Sequence, residues 1–277
     1  MSNKKRPANR LGVGDVDPLS AAITERDKSV VAMVKEALAT KRAVLAYQPV
    51  MQSLAPGSPA FYEGLIRILD GTGRPIPARD FMGEVEDTET GRLIDCLALE
   101  LGLGMLSQEA DLRLSINMSA RSIGYSRWMK TLESGLSLNP MIAERLILEI
   151  EEKSAMTTPE LVVSFMRELQ GKGISFALDD FGAGFTSFRY LRDFFFDIVK
   201  IDGQFTRDIA RNSDNQVVVG ALQAVGRHFD MFTVAENVES ARDAQILAQM
   251  GIDCMQGYHF GAPSLTPPWQ EKGKKRA

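Results

Sequence analysis

Residues 174–202 read ISFALDDFGAGFTSFRYLRDFFFDIVKID. A short apolar run stands at each end, 174–180 and 197–202, and each closes on acidic residues. The runs are rich in Ile, Val, Leu and Phe rather than strictly alternating, as expected of a parallel strand covered on both faces. Enough chain lies between them for a crossover, so the stretch reads as one βαβ unit.

The unit recurs outward in both directions. Further runs fall at 44–50 (VLAYQPV), 60–68 (AFYEGLIRI), 112–119 (LRLSINMS), 145–151 (RLILEIE), 231–237 (MFTVAEN) and 252–258 (IDCMQGY), which makes eight candidate strands. Helices are predicted between them. Val30, Val31, Val34 and Leu38 recur at helical spacing over 24–40. Thr158 reads as an N-cap before Pro159, with Leu161, Phe165 and Leu169 on one face and a stop at Gly171 and Gly173. Ser213 to Gln216 fits a capping box ahead of Val218, Leu222 and Val225, and Ser240 opens a helix that runs to Gly251. This alternation in 277 residues predicts an α/β fold, a TIM-type (β/α)8 barrel. Only nine residues, 51–59, separate the first two runs, whereas a parallel crossover needs about a dozen. These two are therefore antiparallel neighbours, and the barrel is modified by one reversed strand. The stretch 70–77 reads as a loop. Residues 1–22 read as a disordered tail, 23–265 as the barrel domain and 266–277 as a basic tail.

Bulk composition narrows the function classes. Hydrophobic residues make up 44% and charged residues 25%, an ordinary globular balance. A net charge of −4 supplies no global field for DNA. No apolar run approaches the roughly 20 residues of a membrane span, and no secretory signal follows the basic start. Cys96 and Cys254 suggest no disulfide framework and suit a reducing cytoplasm.

In a parallel barrel the carboxyl ends of the strands build the active site. Those ends carry Glu63 with Arg67, Asn117, Glu149, Asp179 with Asp180, Lys200 with Asp202, Glu236 with Glu239, and Gln256. A lone carboxylate inside an apolar run is costly to bury unless paired or metal-bound. The donors are hard oxygens and neither His228 nor His259 sits with them, which favours Mg²⁺ or Mn²⁺, with Ca²⁺ as an alternative. So many ligands suit two ions and phosphodiester hydrolysis. Asp179 and Asp180 are adjacent and would face opposite ways on a regular strand. Both reach one site only where the strand ends and bends into DFGAGF. Lys200 suits activation of water or a hold on a phosphate oxygen, and Arg67 suits a phosphate. The amides of Gly182-Ala183-Gly184 are placed to approach a ligand.

The series YQP (47–49), EGLIR (63–67), NMS (117–119), EIEE (149–152), DDFGAGF (179–185), KID (200–202), AENVE (235–239) and QGYHF (256–260) resembles the EAL-domain family from about residue 28 to 263. The resemblance implies a modified β/α barrel that hydrolyses cyclic di-GMP to linear pGpG with two Mg²⁺ or Mn²⁺ ions. It implies Glu63, Asn117, Glu149 and Asp179 as ligands of one ion, with Asp179, Asp180 and Glu236 at the second. Lys200, Glu236 and Asp180 become the catalytic residues, and Lys200 holds the water. Gln48, Leu65, Arg67 and Gln256 contact the dinucleotide, Glu239 completes the polar shell with Gln256, and Glu152 anchors the loop after Asp180. It also implies a cytoplasmic protein, with input through a homodimer or a regulatory protein partner, since the chain carries no recognisable sensor or GGDEF domain. The chain departs from the pattern in places. Gly64 replaces Ala in the signature, a change expected to loosen the backbone. Ala183, Phe185 and Thr186 alter the loop. Glu151 and Lys153 alter the usual E-[LI]-T-E-S, Asn237 alters EGVE, and Ile68 replaces a tryptophan. Two other readings stand beside the enzyme: a silent module that binds cyclic di-GMP and signals through a partner, and a scaffold that binds no nucleotide.

Overall fold

All eight apolar runs become strands of a closed barrel in a computed structural model of the chain. It describes residues 18–184 and 191–269, so Phe185 and Thr186 lie outside the described residues. The strands are β1 (Ala43–Gln52), β2 (Ala55–Leu69), β3 (Pro75–Pro77), β4 (Leu114–Asn117), β5 (Leu146–Glu151), β6 (Ser175–Phe181), β7 (Ile198–Ile201), β8 (Phe232–Ala235) and β9 (Cys254–Met255). Their order is β1-β9-β8-β7-β6-β5-β4-β2-β3, and pairing of β1 with β2 closes the ring.

The reversed strand is β1. It runs antiparallel to β2 and to β9, while β2, β4, β5, β6, β7, β8 and β9 are parallel neighbours in turn. The 70–77 stretch corrects the loop reading: Pro75–Pro77 pairs antiparallel with Arg67–Leu69 on β2. Proline is tolerated there because β3 is a short edge strand.

Several helix ends also differ from expectation. The first helix begins at Pro18, inside the segment read as a tail. At the other end Trp269, inside the expected basic tail, packs edge-on against Tyr47 and Tyr62. The helix Pro159–Gln170 starts where expected, but Thr158 makes no side-chain cap and Leu161 is exposed; Val162, Phe165, Met166 and Leu169 are its buried face. The cap of helix Ser213–His228 is Asn212, whose side chain accepts from Asn215 N at 3.0 Å, so Ser213 is already helical. Ser240 does cap Ala241–Gln249, through Asp243 N. Among the described residues no helix is long and apolar enough to cross a membrane.

What positions the site is the layering inside the barrel. Side chains two apart on a strand share a face. Phe61, Ile147, Ala177, Ile198, Val234 and Cys254 join Val50 in a small apolar cluster at the foot of the barrel. Two residues further along the same strands or just past their ends come Glu63, Glu149, Asp179, Lys200, Glu236 and Gln256. On reversed β1 the corresponding step from Val50 runs backward, to Gln48. An oily floor thus carries a polar storey directly above it.

Candidate active site

At the centre of the polar storey stands Lys200, 1% exposed. Its Nζ lies 2.8 Å from Glu149 Oε2, 2.9 Å from Glu236 Oε1, 3.0 Å from Asp179 Oδ1 and 3.4 Å from Glu63 Oε2. Burial opposes its charge, but these carboxylates outweigh burial and hold the ammonium well above its ordinary range. Glu63 is pinned on both oxygens: Asn117 Nδ2 donates to Oε1 at 2.7 Å and Gln256 Nε2 to Oε2 at 2.6 Å. Gln256 also donates to Gln48 Oε1 at 3.2 Å, and Gln48 Nε2 donates to Gly261 O at 3.0 Å.

The negative charge exceeds what the protein neutralises. Among the described residues Lys200 is the one cation within ion-pair distance of Glu63, Glu149, Asp179 or Glu236. Burial, then the charge of Glu63, pushes the Glu149 carboxyl up to about 8. Burial, then Asp179, pushes Asp180 up to about 7. Glu236 is raised well above the carboxylate range, chiefly by burial. Glu63 moves the other way: burial raises it, but Lys200 and the donors from Gln256 and Asn117 prevail. Among the described residues none donates a hydrogen bond to the buried Glu149 Oε1. One oxygen each from Asp179, Asp180 and Glu236 lie within 4.8 Å of one another. An all-oxygen donor set with unmet negative charge fits hard divalent cations.

Asp179 and Asp180 reach this cluster by a device other than the expected strand end. The β6–β7 register shifts between Leu178 and Phe181, and Asp180 adopts φ 54°, in the left-handed region. Such a bulge turns the second aspartate back towards the first, and Asp tolerates that backbone better than most residues. The strand continues to Phe181. Beyond it, Gly182 (φ 93°) donates its N–H to Glu152 Oε2 at 3.1 Å, so this amide faces the buried glutamate.

Leu65 and Arg67 stand above Glu63 on the same face of β2. Leu65 lines a cavity and Arg67 is half-buried. Glu239 is the one expected shell residue left outside: it is about half exposed and faces Arg207 at 3.8 Å. The left-handed Asn237, φ 51°, ends the strand path before it. Two contributors, Thr206 and Asp95, carried no sequence signal, and Asp202 stood out at a strand end without an assigned role. Thr206 is fully buried and its hydroxyl donates to Glu236 O. Asp202 caps the Gly203–Thr206 turn and adds to the upward push on Asp180. Asp95, buried and pushed up to about 7 by desolvation, accepts from Ser119 N and Ser122 Oγ.

Gly64 sits in an unbroken stretch of β2. It keeps regular register with Tyr47 and Ile116. A Cβ there would meet Ile116 Cδ1 at 2.8 Å and Leu45 Cδ1 at 3.3 Å, and a Cβ on Gly102 would also meet Ile116 Cδ1 at 2.8 Å. Ile116 is thus socketed between two glycines, directly before Asn117. Overpacking costs about 1–3 kcal/mol, against about 0.5–1 kcal/mol gained by replacing a strand glycine. The Ile116 and Leu45 contacts both fall on the δ-methyl ends of flexible side chains, so Gly64→Ala is expected to change the unfolding free energy by no more than about 1 kcal/mol, and Gly64→Ala with Ile116→Val is expected to be no less stable than Ile116→Val alone, as measured by urea denaturation.

A family model described as EAL domain matches residues 31–263. The chain is 30% identical to cyclic di-GMP phosphodiesterase PdeB of Shewanella oneidensis, over 88% of this chain and 29% of that protein. It spans about a third of the length of the curated relatives it matches. A solved structure described as the PaMucR phosphodiesterase in complex with c-di-GMP is 27% identical with a TM-score of 0.75, over 88% of this chain and 99% of that one. The FimX EAL domain from Pseudomonas aeruginosa bound to c-di-GMP shares the fold, with a TM-score of 0.77 at 24% identity, over 85% of this chain and 96% of that one.

Proposed function

Because this chain belongs to the EAL domain family, we propose that it is a divalent-metal-dependent phosphodiesterase that opens one ester of cyclic di-GMP to give linear pGpG. The observation that carries the reading is Lys200, buried among the carboxylates of Glu63, Glu149, Asp179 and Glu236.

Glu63, Asn117, Glu149 and Asp179 would hold one ion, and Asp179, Asp180 and Glu236 the second. Bound Mg²⁺ or Mn²⁺ would supply Lewis-acid polarisation of phosphate oxygens and acidify water. Lys200 orients the attacking water through its Nζ protons. The water oxygen bonds to phosphorus and gives up a proton, one P–O ester bond breaks, and the leaving sugar oxygen takes up a proton in its place. Gln48, Leu65, Arg67 and Gln256 hold the dinucleotide. Glu152 fixes the loop after Asp180 through the Gly182 amide. The apolar floor keeps water from approaching the cluster from below. The reading carries with it a cytoplasmic location and input through a homodimer contact or a protein partner.

The test is chromatographic detection of pGpG from cyclic di-GMP with Mg²⁺ or Mn²⁺, repeated after chelation with EDTA. Product that appears only with metal supports the reading. No product under any metal, or equal product in EDTA, refutes it.

A further inference from the structure

Glu151 and Lys153 are departures from the E-[LI]-T-E-S pattern, in the run Glu149-Ile150-Glu151-Glu152-Lys153. Both line a cavity of about 450 Å³ that begins at Asn117 and Leu65 and has Ile94, Ile66 and Met82 in its apolar wall. Glu151 stands two residues above Glu149 on the same face of β5, in register with Asp179. Glu152 between them turns away and is spent on Gly182.

The side chains of Glu151 and Lys153 are exposed, carry opposite charge, and form no ion pair among the described residues. Asn117, which also lines the cavity, is hydrogen-bonded to Glu63. A phosphodiester seated on the acidic cluster would therefore lay one nucleoside along this wall. An aromatic base fits the apolar side, and its polar edge meets a carboxylate and an ammonium.

We propose that Glu151 and Lys153 read the edge of a guanine base in this cavity and set the nucleotide specificity of the site, an inference that rests on the phosphodiesterase reading above. Guanine presents O6 as acceptor and an N2 amino group as donor, with N1–H between them. A carboxylate accepts from the two donors, and a lysine donates to O6. Adenine presents N6–H₂ where guanine has O6, which opposes Lys153 with a donor and leaves Glu151 without its paired donors.

The experiment compares wild type with Glu151→Gln, Glu151→Thr and Lys153→Ser. Binding of cyclic di-GMP and of cyclic di-AMP is measured by calorimetry in Ca²⁺, and hydrolysis of both in Mn²⁺. A lost charged hydrogen bond is worth about tenfold or more. Each Glu151 variant is expected to weaken cyclic di-GMP by about that factor and to narrow the preference over cyclic di-AMP, with a smaller effect for Lys153→Ser. A purely structural change at β5 would weaken both dinucleotides alike and leave the preference intact, which would overturn the inference. Unchanged or tighter cyclic di-GMP binding in the Glu151 variants overturns it as well. Wild type that binds but does not hydrolyse refutes the enzymatic reading, while the Glu151 comparison still decides the inference by binding. Wild type that binds neither dinucleotide refutes both.

Discussion

Replacing Lys200 with Met is expected to lower the hydrolysis rate by about a thousandfold or more and to lower metal-free stability by about 3–5 kcal/mol. Two effects compete. The substitution removes a buried ammonium, whose desolvation opposes folding. It also strips four carboxylates within 3.4 Å of the cation they share. The second wins because breaking a buried pair leaves uncompensated charge of the same sign crowded together. Glu149, already pushed up to about 8, and Glu236 would take up protons more readily still. A divalent cation would relieve the same repulsion. Mn²⁺ should therefore raise the melting temperature of the variant by more than it raises that of wild type. Calorimetric melts with EDTA and with Mn²⁺ check this, and a variant that melts like wild type in EDTA counts against the electrostatic account.

Glu63→Ala is expected to remove a comparable share of activity while leaving stability much closer to wild type. Glu63 Oε1 and Oε2 hold Asn117 and Gln256, at 2.7 and 2.6 Å. Truncation frees both amides, and unsatisfied buried polar groups cost about 1–3 kcal/mol each. It also removes one negative charge from a crowded cluster. The charge of Glu63 is the second cause of the rise in Glu149, so the Glu149 carboxyl should fall from about 8 towards its ordinary range. These contributions largely offset each other. Asp179, Asp180 and Glu236 remain, so a Mn²⁺ titration should lose one site and keep one. Wild-type turnover in Glu63→Ala would remove Glu63 from the mechanism.

The barrel and most of the polar storey could be read from order and parity. The eight runs alternate with helices, and Glu63, Glu149, Asp179 and Lys200 each follow an apolar residue two positions earlier on the same face. The failures share a physical cause: each depends on a neighbour distant in sequence. Gly64 looks permissive by itself but is filled by Ile116 from the adjoining strand. Glu239 continues the acidic pattern, yet the left-handed Asn237 directs it to the surface beside Arg207. Pro75–Pro77 has no strand signal because its partner on β2 supplies the register. Asp180 could be placed with Asp179 by requirement only, since the bulge that unites them is a feature of the β6–β7 pairing.

The apolar cluster beneath the site has one more consequence. Val50, Phe61, Ile147, Ala177, Ile198, Val234 and Cys254 close the barrel below the reacting groups, so the site is a blind well rather than a passage. On the proposed reading, substrate, ions and product would share one mouth. A dinucleotide bound there could not be pushed out from behind by its successor, and its product would have to leave before the next molecule arrived. Traffic through that mouth, shaped by the cavity between Leu65 and Lys153, is then a natural place for turnover to be throttled.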